Sequence, residues 1–276
     1  MTCANIGSVT HASTPPRSPE AQAFFELVTT PRRRDAPRIA DELRDAEHHR
    51  VPTVHGAVAA WRLGTGPAVL LVHGRDDDHL LWTPMTEAFA RRGRAVVVFD
   101  LPAHGLSEGR RCLGWEGTDA MLAVADEMGP VSGAVGHSVG AAVVAGALVE
   151  GLELPACVFI APPMRTGDRW RRIAERRGVP EHVAAEARSA YEQWLGPARA
   201  AFRLRRELQQ LDTRLLLAGS TDDERTPARD LREAAAAAPG AELLLVDGAG
   251  HRDTARHPEV IARTVEFLDG SSAEPD

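Results

Sequence analysis

The apolar positions of this chain form two kinds of run, and the two kinds alternate. Apolar runs of about five residues predict strands buried on both faces, and longer stretches with a period near 3.6 predict helices. The predicted strands are 54–63 (a half-exposed pair), 68–72, 95–99, 131–135, 156–160, 214–219 and 241–246, and the predicted helices are 19–28, 38–49, 84–92, 118–128, 139–149, 228–238 and 258–268. This alternation predicts an α/β fold, with a mostly parallel central sheet and helices on both faces.

Residues 163–210 interrupt the alternation with a segment rich in arginine and glutamate. The segment predicts two or three amphipathic helices inserted after a strand, where a small helical lid would lie. Its aromatic residues are Trp170, Tyr191, Trp194 and Phe202. They either face a substrate or pin the helices to the core, and the sequence favours neither. We expect residues 1–18 to form a disordered tail and residues 19–276 to form a single domain.

One strand, one turn and one helix follow each other directly around Ser138. The turn reads Gly136-His137-Ser138-Val139-Gly140, a GxSxG pattern between the strand at 131–135 and the helix at 139–149. So tight a turn strains the serine backbone and leaves no room for side chains two residues before and after it. The helix N-terminus supplies unpaired N–H groups and partial positive charge, which suit an anion beside the hydroxyl. This context predicts that Ser138 is a nucleophile.

A serine nucleophile needs a general base and an acid that orients the base. His251 follows the strand at 241–246 within Gly248-Ala249-Gly250-His251, and the glycines let this loop fold back to the sheet edge, so we predict that it is the base. After the strand at 214–219 come three carboxylates, of which one can face the histidine: Asp222, Asp223 and Glu224. We expect the other histidines in supporting positions, with His137 beside the turn, His73 and His104 in loop hydrogen bonds, and His257 on the surface.

The order serine, acid, histidine is the order of the α/β-hydrolase superfamily, which this chain resembles. His73-Gly74 resembles the family's oxyanion loop, and residues 100–107 (DLPAHGLS) resemble its D-x-P-G-H-G-x-S segment, with Ala103 in place of glycine. The resemblance covers about residues 55–268. It implies Ser138 as nucleophile, His251 as base and the backbone N–H groups of Val139 and Arg75 as the oxyanion hole. It also implies Asp223 as the acid, because Asp223 keeps the Asp-x-x-x-Pro spacing to Pro227; Asp222 is the alternative.

An unusual acidic run, Asp76-Asp77-Asp78, follows Arg75 and precedes His79. Aspartates and a histidine can bind a divalent metal ion, but consecutive residues rarely converge on one ion without a turn built for it. We therefore favour a solvated acidic loop. If the run faces the site, anionic substrates should be disfavoured. We predict neither a metal nor an organic cofactor.

Composition narrows the class of partner. The chain has 276 residues, 43% hydrophobic and 26% charged, with a net charge of −7, which argues against nucleic-acid or anionic membrane partners and favours a small-molecule substrate. It contains no lysine, because all 32 basic residues are arginine, and this excludes lysine nucleophiles and Schiff bases. Three cysteines without paired spacing, and an N-terminus without a signal sequence, favour a cytoplasmic location. The apolar run 133–149 contains a strand-to-helix break, so we expect it in the core.

These observations predict a serine hydrolase that cleaves a small carboxylic ester through an acyl-enzyme intermediate. A thioesterase, a lactonase or a carbon–carbon hydrolase would use the same three residues. A different class of protein, a non-catalytic small-molecule receptor on the same fold, is the second hypothesis. The presence of all three residues weighs against the receptor. The sequence leaves the oligomeric state open.

Overall fold

A computed structural model describes residues 15–33, 38–164 and 169–270. The expected disordered tail falls mainly on residues 1–14, which lie outside the described residues, as does Cys3. The chain divides into two compact units, one within residues 1–28 and 167–202 and the other within residues 29–166 and 203–276.

The larger unit is built on an eight-stranded sheet. The strands are β1 (Glu47–Val51), β2 (Val58–Leu63), β3 (Ala68–Val72), β4 (Ala95–Phe99), β5 (Val131–His137), β6 (Ala156–Ile160), β7 (Arg214–Ser220) and β8 (Glu242–Val246), in the order β1-β2-β4-β3-β5-β6-β7-β8. β1 pairs antiparallel with β2, and β2 pairs antiparallel with β4. Every other neighbouring pair in this order is parallel. The prediction of a mostly parallel sheet is confirmed.

Helices cover both faces of this sheet. The helices of the larger unit are α2 (Thr83–Arg91), α3 (Trp115–Glu127), α4 (Val139–Val149), α7 (Leu204–Glu207), α8 (Ala228–Ala237) and α9 (Pro258–Asp269). Ala218 of β7 packs in one core with Phe89 of α2 and Phe267 of α9. The next residue, Gly219, contacts α8, because a Cβ there would lie 2.1 Å from Leu231 Cδ1. Successive strand residues point to opposite faces, so α8 and α9 lie on opposite sides.

The apolar run at 133–149 forms most of β5 and α4, and most of its residues are buried, as expected. The end of α4 differs, since Val149 is 50% exposed. Among the described residues, no helix has both the length and the apolarity needed to cross a bilayer.

The prediction of a helix at 38–49 is wrong. Only Asp41–Leu43 is helical there, as one 3-10 turn, and Glu47–Val51 forms the edge strand β1. β1 pairs antiparallel with β2, and the ring of His48 stacks on Trp61 with centroids 5.1 Å apart. The strand pair expected within 54–63 is therefore formed by 47–51 and 58–63, with an exposed turn at Val54. The polar β1 has no apolar run, and its partner strand determines its conformation.

The smaller unit contains α1 (Pro19–Thr29, of which Thr29 belongs to the larger unit), α5 (Arg169–Arg177) and α6 (Glu181–Ala200). Glu186 of α6 accepts hydrogen bonds from the backbone N–H and the hydroxyl of Ser18, both at 2.8 Å, just before α1 begins. Trp170 and Tyr191 are buried and lie next to Phe25, with ring centroids 6.2 and 6.4 Å from it. These two aromatics therefore pack between helices of the smaller unit. The role of the insertion as a lid stays a prediction.

Candidate active site

Four parallel strands bring the predicted site residues to one edge of the sheet. Arg75 follows β3, Ser138 follows β5, Asp223 follows β7 and His251 follows β8. Because the carboxyl ends of parallel strands share an edge, the topology alone gathers these four loops.

Ser138 lies in the strained turn that the GxSxG pattern predicts. Its backbone has φ 51° and ψ −119°, a conformation that L-residues rarely adopt. A Cβ at Gly136 would lie 2.6 Å from the backbone of Ala141, and a Cβ at Gly140 would lie 2.1 Å from the carbonyl oxygen of Val72. Larger residues at either glycine would push β3, β5 and α4 apart. The glycines therefore allow the close packing that holds Ser138 at the sheet edge.

The ring of His251 connects Ser138 to Asp223. His251 Nδ1 lies 2.7 Å from Asp223 Oδ2, and His251 Nε2 lies 2.9 Å from Ser138 Oγ. An ionised carboxylate only accepts hydrogen bonds, so Nδ1 carries the proton and Nε2 is the free acceptor that faces the serine hydroxyl. This tautomer is the one that a general base for Ser138 requires.

The environment of Asp223 favours its ionised form. Its carboxylate is buried, which opposes ionisation, but the hydrogen bond and the charge of His251 outweigh burial and lower the pKa of Asp223. Asp223 Oδ1 also accepts hydrogen bonds from the backbone N–H groups of Arg225 at 2.8 Å and Thr226 at 3.1 Å. Asp222 contacts a different group, since its Oδ2 accepts from the N–H of Gly248 at 2.6 Å. The structure thus brings Asp223, and not Asp222, to the histidine ring.

Of the two residues predicted for an oxyanion hole, Val139 follows Ser138 in the chain, and Arg75 follows Gly74, which packs against the same turn. Val139 is the first residue of α4, and the N–H groups of the first helical turn have no partner within the helix. Gly74, which precedes Arg75, lies against the turn, since a Cβ there would be 3.1 Å from Ser138 Cβ. The Arg75 side chain is directed elsewhere, and its Nη2 donates to the carbonyl of Thr30 at 2.8 Å.

The expectation of a solvated acidic loop is wrong for Asp77 and Asp78, which are 8% and 2% exposed. Buried carboxylates need partners. Asp77 accepts from Arg252 Nε at 2.6 Å, and Asp78 accepts from the N–H of Leu80 at 3.1 Å. Asp76 is exposed, as expected, and accepts from the N–H of Arg32 at 2.8 Å. In the described part of the chain, no group of three or more His, Cys, Asp or Glu residues is arranged to bind a metal ion.

His137 lies beside the turn, as expected, and also contacts the loop that carries His251. Its Nε2 lies 2.9 Å from the carbonyl oxygen of His251, and burial lowers the pKa of His137 to about 4. The ring is therefore neutral and donates its Nε2 proton to that carbonyl. His73 and His104 hold loops as expected, accepting from the N–H groups of Leu101 at 3.0 Å and Asp76 at 3.2 Å. His257 is half-buried at the start of α9.

Sequence reasoning missed the buried pair of His79 and Asp100. His79 Nδ1 donates to Asp100 Oδ1 at 2.9 Å, and the N–H of His79 donates to the same oxygen at 2.8 Å. Gly105 lies directly on this carboxylate, because a Cβ there would be 2.1 Å from Asp100 Oδ2. The sequence indicated His79 after the acidic run and Asp100 at the start of residues 100–107, but it did not predict that they pair. The pair joins the end of β4 to the loop after β3.

Comparison with known proteins identifies the family and the fold. Residues 69–264 match the family described as the alpha/beta hydrolase family. A pimeloyl-[acyl-carrier protein] methyl ester esterase of Xanthomonas campestris pv. campestris is 28% identical over 244 residues, covering 74% of this chain and 95% of the esterase. An esterase from Pyrococcus furiosus is similar in structure, with a TM-score of 0.69, 20% identity, and coverage of 89% of this chain and 98% of that one. A thermophilic esterase from Thermogutta terrifontis gives a TM-score of 0.62 at 20% identity, over 83% of this chain and 100% of the esterase.

Proposed function

Because the chain belongs to the alpha/beta hydrolase family, we propose that it is a serine hydrolase that cleaves a small carboxylic ester through an acyl-enzyme intermediate. One observation carries this proposal. The His251 ring lies within hydrogen-bond distance of Ser138 Oγ on one side, at 2.9 Å, and of Asp223 on the other, at 2.7 Å. Such a chain of contacts is the arrangement that turns a weak alcohol nucleophile into a strong one.

In the first half of the reaction, Ser138 Oγ attacks the ester carbonyl carbon while His251 Nε2 takes the hydroxyl proton. Asp223 stabilises the imidazolium that forms and keeps its Nδ1 proton in place. The tetrahedral oxyanion receives hydrogen bonds from the N–H groups of Val139 and Arg75, in a region where the first turn of α4 adds partial positive charge. The carbon–oxygen bond to the alcohol then breaks, and the alcohol leaves with the proton held by His251.

In the second half, water attacks the acyl-enzyme. His251 accepts a proton from the water, the oxyanion forms again, and the bond to Ser138 Oγ breaks as the proton returns to the serine. The carboxylic acid is released. Every proton in this cycle passes through one nitrogen, His251 Nε2, so the protein's own residues supply the chemistry that the reaction needs.

An ester is the substrate class that the relatives support best. The similar proteins from Xanthomonas and Pyrococcus are both described as esterases. Thioesters, lactones and the carbon–carbon bonds of diketones would pass through the same intermediate, and a substrate panel separates them. We also propose a cytoplasmic location, which the buried free thiol of Cys157 supports.

The test is reaction with a fluorophosphonate, compared by intact mass between the wild type and Ser138→Ala. Ser138 Oγ would attack phosphorus, fluoride would leave, and the phosphoryl group would remain on the serine. We expect one adduct on the wild type and none on the variant. Ester turnover by Ser138→Ala should fall on the order of 10⁶-fold. Matched ester, thioester and lactone substrates with one acyl chain then identify the bond.

A folded wild type that gains no adduct would contradict the proposal. Ligand-induced thermal stabilisation without turnover would then favour the receptor hypothesis. An adduct that persists on Ser138→Ala would assign the nucleophile to another residue.

A further inference from the structure

The residue after His251 joins two loops of the site. Arg252 Nε donates to Asp77 Oδ1 at 2.6 Å, and the two side chains are 43% and 8% exposed. Arg252 belongs to the loop after β8, which carries the proposed base. Asp77 belongs to the loop after β3, two residues beyond Arg75. The ion pair therefore connects the base to the loop that carries one proposed oxyanion donor.

Backbone hydrogen bonds connect each residue of the pair to its own side of the site. The N–H of Asp77 donates to the carbonyl of Gly74 at 3.4 Å, which closes a turn around Arg75. The Asp77 backbone is therefore part of the same turn as the Arg75 N–H. On the other side, the carbonyl of His251 accepts from His137 at 2.9 Å. Arg252 thus extends from a residue whose backbone is already fixed against the turn at Ser138.

The charges explain why the contact persists. Asp77 is buried, and a buried carboxylate without a counter-charge is costly. Arg252 supplies that counter-charge from a half-exposed position. Its planar guanidinium gives a directional contact that a flexible ammonium would not. The Asp77 negative charge is thus compensated, which removes the earlier reason to expect that this residue repels anionic substrates.

We propose that Arg252 and Asp77 are positioning residues, whose ion pair fixes the distance between His251 and the N–H of Arg75. This cross-site latch, the contact of Arg252 Nε with Asp77 Oδ1, makes proton transfer and oxyanion stabilisation act on the same carbonyl group. The inference rests on the proposed function, and it assigns neither residue a contact with the reacting atoms. Misplacement by about 1 Å can cost on the order of 10²-fold in rate, which sets the scale of the effect.

The experiment uses Arg252→Gln, Asp77→Asn and the double variant in the full chain. The matched control is Arg92→Gln, which removes a surface ion pair of 3.3 Å between Arg92 and Asp269, away from the four loops of the site. For each protein we would measure the rate of fluorophosphonate labelling, the thermal unfolding midpoint, and kcat and KM. The substrates are a neutral and an anionic ester with the same leaving group.

We expect each single variant to lose roughly 10- to 100-fold in labelling rate and in kcat, with little change in KM. The loss should be equal for the two esters. The double variant should resemble the single variants, because the first substitution already breaks the contact. Arg252→Lys should recover part of the rate, since it keeps the charge. Arg92→Gln should label like the wild type.

Several results would overturn the latch. Losses that multiply in the double variant would mean that the two residues act independently. A loss confined to the anionic ester, with a raised KM, would make Arg252 a substrate-binding residue instead. A labelled wild type with equally labelled variants would contradict the latch alone, whereas an unlabelled wild type would overturn the proposed function and the latch together. If Arg252→Gln does not fold, Asp77→Asn and Arg252→Lys still test the latch. Asp77→Asn keeps the shape of the side chain, and Arg252→Lys keeps its charge.

Discussion

Two loops at the same sheet edge carry consecutive carboxylates, and they use them differently. After β7, Asp222 and Asp223 both contact the loop of His251, one through the N–H of Gly248 and the other through the histidine ring. After β3, the carboxylates of Asp76, Asp77 and Asp78 have partners in three separate parts of the chain: Arg32, Arg252 and Leu80. Neighbouring aspartates therefore differ in role because a different hydrogen-bond donor lies next to each of them. Their order in the run does not determine the role.

The largest expected effect is a difference in kcat/KM between variants of Asp222 and Asp223, the neighbouring aspartates after β7. Asp223→Asn should lower kcat/KM by about 10⁴-fold, because an amide no longer holds His251 in the tautomer that accepts the Ser138 proton. Asp222→Ala should lower it by about 10-fold or less, because it removes one hydrogen bond to Gly248 and leaves the ring contact. Steady-state kinetics on one ester, with both variants shown to be folded, tests the difference.

Equal losses in the two variants would contradict this division of roles. A larger loss in Asp222→Ala would reassign the acid to Asp222. Because the two residues are adjacent and share one loop, each variant serves as the control for the other.

The sequence predicted the parts of this arrangement that depend on local pattern. Apolar runs predicted β3 to β8, and the GxSxG pattern and the glycines before His251 predicted the loops that bring Ser138 and His251 to one sheet edge. It did not predict β1, whose sequence EHHRV is polar, because an edge strand obtains its conformation from its partner. Nor did it predict the contact between Arg252 and Asp77, which are 175 residues apart. Such a pair depends on how two loops meet, and neither loop alone contains that information.

A smaller effect concerns the free energy of unfolding, whose dependence on pH should run in opposite directions for the two loops. Burial opposes ionisation of Asp223, but contact with His251 lowers its pKa below the ordinary 3.8, so its stabilising contribution is present above that value and is lost as the pH falls through the lowered pKa. His79 follows the acidic run after β3. Burial opposes its protonation, but its hydrogen bond and ion pair with Asp100 raise its pKa above the ordinary 6.5. Its contribution is present below 6.5 and is lost as the pH rises through the raised pKa.

Urea unfolding of the wild type, Asp223→Asn and His79→Gln across the pH range measures this contrast. The stability gap between the wild type and Asp223→Asn should shrink on the acid side. The difference in the free energy of unfolding between the wild type and His79→Gln should shrink as the pH rises. If both gaps close on the same side, the two loops do not differ in the way that their contacts indicate.

The smallest effects concern the free energy of unfolding, which should depend more on Asp78 than on Asp76 because of their different hydrogen bonds. Asp78 caps a 3-10 turn from a buried position, so Asp78→Ala should lower the free energy of unfolding by about 1 kcal/mol. The Asp76 side chain is 42% exposed, and its backbone has φ 62°, which asparagine tolerates well. Asp76→Asn also keeps an oxygen that can accept from the N–H of Arg32, so its cost should stay below about 0.5 kcal/mol. Urea unfolding at neutral pH measures both. A reversed order would mean that charge within the run, rather than the donor that each turn supplies, determines what an aspartate contributes.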